Sequence, residues 1–225
     1  MTRSVARPKS SSSVALEQLR TLIFTGQLGA GTDHLESELA ENLGMSRTPV
    51  REALLVLEGQ GLVDVRPRKG VRIRPLSPQD MEEIYDVLTA LESLAAANAA
   101  RAGFREETLT LLATAIDQMD AALGVENRED WARADDAFHA ELMRLGGNAR
   151  AQSIAAMMSD QVRRARLVTL HMRPVPTESN KDHRALLELI RQGDAQGAEA
   201  LHRRHRSQAK TLLIALLEKH HLNTL

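Results

Sequence analysis

The chain has 225 residues, of which 43% are hydrophobic and 26% charged, with a net charge of −1 and no cysteine. That length allows two modest domains with one core each, while the missing cysteine excludes disulfides and thiolate metal sites, and no apolar run approaches the roughly 20 residues needed to cross a bilayer. The near-zero net charge hides an asymmetry: residues 1–76 carry 11 Lys/Arg against 8 Asp/Glu and the remainder 18 against 22, which suits nucleic-acid binding at one end only.

The N-terminus, MTRSVARPKSSSS, is basic but lacks the apolar segment of a secretory signal. Residues 1–13 therefore read as a disordered arm on a cytoplasmic protein. VALEQLRTLIF at 14–24 spaces Val14, Leu16, Leu19, Leu22 and Ile23 helically, and Gly26 follows as a stop. ESELAENLG at 36–44 predicts a second short helix. MSRTPVREALLVLEGQGL predicts a third, with Ser46 as N-cap, Pro49 in the first turn and Val50, Ala53, Leu54 and Leu57 as its buried stripe. LVDVR at 62–66 and GVRIR at 70–74 alternate like short strands around the turn PRKG.

Three helices and a hairpin over 14–75 give the layout of a winged helix-turn-helix. Its recognition helix opens SRTPVRE, so Arg47, Thr48 and Arg51 lie near the N-terminal end and face away from the apolar stripe. Recognition helices present base-reading side chains from that end. The wing RPRKGVRIR, with Lys69 at its turn, carries five positive charges and no acid. The plainer alternative is a solvated basic face on a small structural domain.

From LSPQD onward the pattern is helical throughout, with Ser77 as cap, Pro78 at the first helical position and Asp80 completing a capping box. Six amphipathic segments, separated by glycines at 103, 124, 146–147 and 193, predict an antiparallel all-α bundle over 76–225. The fold class is accordingly mainly α.

Within the bundle, Asp135 and His139 in DDAFHAE stand four residues apart on an inward face, and charged groups are seldom buried without a partner. His183 and His205 lie nearly equidistant from the turn at Gly193–Asp194, so an antiparallel hairpin brings them to one height. One carboxylate and three imidazoles suit a Zn²⁺, Ni²⁺ or Mn²⁺-like ion. A local Asp–His pair without metal fits the same spacing. His202 is a competitor that lies off the stripe.

ELAENLGMSRTPVREALLVLEGQGLV, with the wing ending Arg68–Lys69–Gly70, resembles the GntR family of bacterial transcription regulators. The resemblance implies DNA contacts from Arg47, Thr48, Arg51 and Gly70. Ser37 stands where some members have a DNA-touching Arg. Residues 78–220 resemble the FCD effector-binding domain of the FadR subfamily, on DxxFH (Asp135 to His139), Gly147–Asn148 and DHRALLELIRQGDAQGAEALHRRH. Many members hold a divalent metal through the residues that match Asp135, His139, His183 and His205, which implies a metal here, zinc foremost. Leu88 replaces an Arg that often anchors ligand on the first bundle helix. Arg163, Arg164 or Arg166 is the expected substitute, Arg164 foremost.

The reading that results is a ligand-responsive repressor that binds a palindromic double-stranded DNA operator as a homodimer. A small organic acid would enter the bundle and coordinate the metal. The alternatives are a purely structural metal, or a metalloenzyme fused to a DNA-binding head. Against the enzyme, no second carboxylate is placed as a general base: Glu141 falls on the flank and Glu188 off the stripe.

Overall fold

The computed structural model of the chain describes residues 10–222 and divides into two units, one ending at Pro75 and one starting at Leu76. In the first unit, helix α1 spans Ser11–Phe24, α2 Glu36–Asn42 and α3 Arg47–Gly59, with strands β1 Asp33–His34, β2 Val63–Arg66 and β3 Gly70–Ile73. Leu19 and Ile23 of α1, Leu39 of α2 and Val50, Leu54 and Leu57 of α3 form its core together with Leu62, Val71 and Ile73. The expected stripe of α3 is buried as spaced.

Two details correct the sequence reading. Helix α1 starts at Ser11, because Ser10 caps it by accepting from the Ser13 amide at 3.2 Å. Residues 10–13 are thus part of the helix and its cap rather than of an arm, and residues 1–9 lie outside the described residues. The wing is also not a bare hairpin. β1 pairs with β3 to give the antiparallel order β1-β3-β2, with Asp33 opposite Arg72 and His34 opposite Val71. A two-residue strand is too short for alternation to reveal.

Among the described residues the second unit has the six helices expected: α4 Pro78–Arg101, α5 Glu106–Gly124, α6 Arg128–Leu145, α7 Ala149–Val168, α8 Thr177–Gln192 and α9 Ala195–Lys219. Helix α4 starts on the predicted capping box, with the Ser77 amide donating to Asp80 Oδ2 at 2.8 Å and Ser77 Oγ accepting from the Asp80 amide at 3.1 Å. Helix α7 ends at Val168 and is followed by a 3₁₀ turn at Leu170–Met172. Gly193 closes α8 at φ 73°, a left-handed conformation suited to glycine, and Asp194 caps α9. Phe138, Leu142, Leu112, Ile116, Leu186 and Ile190 centre the apolar core.

Helices α4 and α6 meet backbone to backbone at the end of α6. A Cβ on Gly146 would stand 2.6 Å from Ala95 Cα and Cβ, and Asn98 Nδ2 donates to the Gly146 carbonyl at 3.3 Å. Gly146→Ala is expected to lower the unfolding free energy by roughly 1–3 kcal/mol through overpacking. Urea denaturation checks it, and a wild-type midpoint would show that the helices part without cost.

Candidate functional site

The first unit presents a basic groove between the recognition helix and the wing. Arg47 and Arg51 line it from α3, with Arg66, Arg68 and Gly70 from the wing and Ser37 from α2. Thr48 sits exposed on the same turn as Arg47, and Lys69 is exposed at the wing tip. Among the described residues Arg47 and Arg51 have no ion-pair partner. Arg66, by contrast, is tied to Asp33 at 3.1 Å. Gly70 has a steric reason of its own: φ is 84°, and a Cβ there would lie 2.1 Å from the His34 carbonyl oxygen of β1.

The second unit holds a buried polar centre built from four helices and braced by a fifth. His139 on α6, His183 on α8 and His205 on α9 each offer a ring nitrogen within 4.8 Å of the others. The hairpin argument for His183 and His205 is met by ring centroids 4.7 Å apart. Asp135 stands beside the triad, with Oδ2 3.6 Å from His139 Nε2 and Oδ1 3.5 Å from His183 Nε2. Asp135 also has a partner that spacing did not reveal: Arg166 of α7 reaches its Oδ2 at 2.6 Å. Its burial is therefore compensated without an ion. Burial alone would raise the Asp135 carboxyl, but Arg166 and the histidines outweigh it and hold it below the usual carboxylate range.

A second buried carboxylate escaped the sequence reading. Glu92 of α4 accepts from His202 Nε2 at 3.0 Å, and its Oε2 lies 2.9 Å from His139 Nδ1 and 3.3 Å from Arg206 Nε. Burial pushes Glu92 up, yet Arg206 and the two histidines win and hold it well below its ordinary value. His202 is 1% exposed, so it is not off the buried face. Glu92, His139 and His202 form another group with metal-ligand spacing. Glu92 is already matched by Arg206, however, and its place beside His139 Nδ1 leaves Nε2 of that ring toward the triad.

The triad fits a divalent ion on two grounds. Both nitrogens of His183 are buried with no hydrogen-bond partner, a costly state for an imidazole unless something is bound. Burial also lowers the pKa of His183 and His205, which leaves neutral imidazoles with lone pairs free. Asp135, His139 and His205 border a cavity of about 310 Å³, together with Tyr85, Trp131, Arg166 and Arg173. A second cavity of about 270 Å³ touches Leu88, Glu92, His139, Arg163, Arg166 and Arg206. Arg164 is buried and lines neither. Arg166 lines both.

A winged helix-turn-helix head followed by an all-helical unit is the architecture of a DNA-binding regulator. The profile of "Bacterial regulatory proteins, gntR family" matches residues 12–73, and that of the FCD domain matches residues 83–208, more than half of the chain. The chain belongs to the GntR family and is a DNA-binding transcriptional regulator with an FCD domain. A HTH-type transcriptional regulator of Agrobacterium vitis is 44% identical over 133 residues, spanning 58% of this chain and 78% of that protein. A relative from Paenarthrobacter nicotinovorans, named as a probable D-xylose utilization operon transcriptional repressor, is 28% identical over 178 residues, 79% of this chain and 77% of that one. The solved structure of E. coli McbR/YncC shares the fold, with a TM-score of 0.77 at 20% identity over 92% of this chain and 98% of that chain. No helix among the described residues is long and apolar enough to cross a membrane.

Removing the partner of a buried carboxylate strands its charge. Arg166→Met is expected to destabilise chelator-treated protein by about 3–5 kcal/mol, read as a shift in the urea midpoint. No shift would mean that Asp135 is met by water instead.

Proposed function

We propose that this regulator is a cytoplasmic repressor that binds a palindromic operator as a homodimer and senses a small organic acid at a metal ion in its helical unit. Asp135, His139, His183 and His205 would hold the ion, of the Zn²⁺, Ni²⁺ or Mn²⁺ kind. The observation that carries the reading is the convergence of three imidazoles, one with both nitrogens buried and without a hydrogen bond, beside a cavity. When bound, the ion supplies a positive point that attracts a carboxylate. Because Arg166 already offsets Asp135, the ion adds stability by mass action and is not needed to fold the bundle. The anchor sought in Arg164 is better supplied by Arg166, which borders both cavities. The relative named as a repressor supports the direction of control.

In the head, Arg47, Thr48 and Arg51 would read bases or phosphates, with Lys69 and the Gly70 backbone meeting the sugar-phosphate chain from the wing. Two heads are needed because one recognition helix spans only a few base pairs. Arg47→Ala and Arg51→Ala are each expected to weaken operator binding by roughly 1–3 kcal/mol, while Lys69→Ala lowers the salt dependence by a slope of about 1. Titrations of a selected operator at several salt concentrations check both. Wild-type binding by the two recognition-helix variants would move the reading surface elsewhere.

For the metal, plasma emission analysis of protein purified without chelator should show stoichiometric divalent ion in the wild type and little in His183→Ala. The same protein should melt at a lower temperature after chelation and still unfold cooperatively. Equal metal content in the two chains would leave Asp135 and the histidines as a hydrogen-bonded polar core.

A further inference from the structure

The larger cavity contains two polar groups that the metal centre does not use. Tyr85 of α4 is 0% exposed, lines the cavity, and has a buried hydroxyl with no polar partner other than the neighbouring Arg173. Arg173, on the connection between α7 and α8, donates from Nε to Thr169 Oγ1 at 3.1 Å, but its Nη2 is buried without a partner. Burial pulls this guanidinium down to about 10. A buried donor left without an acceptor is uncommon in folded proteins and calls for an explanation.

The charges around the cavity show what is missing. Arg166 is paired with Asp135 and Arg206 lies against Glu92. The acids are matched too, Glu178 by Lys181 and Asp182 by Arg204 and His205. Among the charged residues described around this cavity, Arg128 and Arg173 form no ion pair with a carboxylate, and Asp135 acts on Arg173 only from beyond ion-pairing distance. Arg128 donates from Nη1 to the carbonyls of Leu170 and Arg173, at 3.2 and 2.7 Å, which fixes the segment that carries Arg173. The lining also includes Trp131, Leu170, Val175 and Leu212, a surface suited to a short carbon chain.

We infer that Arg173 and Tyr85 form a second anion subsite and that the effector is a short dicarboxylate, with one carboxylate at the metal centre and the other received by Arg173 Nη2 and Tyr85 Oη. The inference rests on the organic-acid reading above. A guanidinium and a phenol both donate to carboxylate oxygens, and charge-assisted bonds between buried groups are strong. A monocarboxylate of equal length leaves the Arg173 Nη2 and the Tyr85 O–H without a carboxylate acceptor, so the site selects against it.

Calorimetric titration of the full chain with zinc restored tests this, using malonate, succinate, glutarate and adipate against propionate, butyrate, valerate and hexanoate. At least one diacid is expected to bind about tenfold or more tightly than the monoacid of its length. Arg173→Gln and Tyr85→Phe should each remove most of that preference while zinc content stays at the wild-type level. Tyr85→Phe deletes a hydroxyl whose one polar neighbour is Arg173, so the ligand-free chain should melt close to the wild-type temperature. Equal affinity for the two series, or a preference that survives both substitutions, overturns the second subsite and leaves the acid-at-metal reading standing. Binding of no acid in either series overturns both. A diacid preference that persists without zinc and vanishes in Arg173→Gln supports the subsite and removes the metal from the reading.

Discussion

Two carboxylates buried in the helical unit, Glu92 and Asp135, constrain the placement of the helices around them. Glu92 belongs to α4 and is met by His139 of α6 and by His202 and Arg206 of α9. Asp135 belongs to α6 and is met by Arg166 of α7 and by His183 of α8. Only α5 stands outside this set, packing its Leu109, Leu112, Ile116 and Met119 into the apolar core. Desolvating charges is expensive, so such pairs contribute little net stability, whereas breaking one is costly. A helix slid by one turn would strand a carboxylate in an apolar medium. The pairs thus act on register, and the leucine and alanine core supplies most of the attraction.

Much of this was legible in the sequence because helices write their own boundaries. Ser77, Pro78 and Asp80 announced α4, and Gly193 and Asp194 announced the α8–α9 turn from which the meeting of His183 and His205 followed. What could not be read depends on contacts between distant segments. Glu92 and His202 are 110 positions apart, and nothing in either local pattern sets the register of α4 against α9. His202 was misjudged for a related reason. Helix α9 packs against both α4 and α8, so its buried arc is wider than a single stripe. Arg163, Arg164 and Arg166 lie within one helical turn and a half, and periodicity alone could not tell which of them reaches Asp135.

The polar centre is shared between two openings. His139, Arg166 and Arg206 border both cavities, so a molecule in either one acts on the same side chains. Arg166 already serves Asp135 and Asp136, at 2.6 and 3.2 Å. An anion that draws on this guanidinium competes with both carboxylates, and the cost is felt on α6 as well as on α7.

The close approach of Gly70 to the His34 carbonyl has a consequence for how the head meets its target. Strand β1 is stitched to β3 at that point, and Arg66 and Arg72 both lie within ion-pairing reach of Asp33. The base of the wing is therefore held by a third strand before any partner arrives. A loop that must be ordered on contact gives up conformational entropy at that moment, whereas a preformed one has already lost it during folding. The third strand shifts that loss from association to folding, so the energy of any contact the wing makes is not spent on ordering its own backbone.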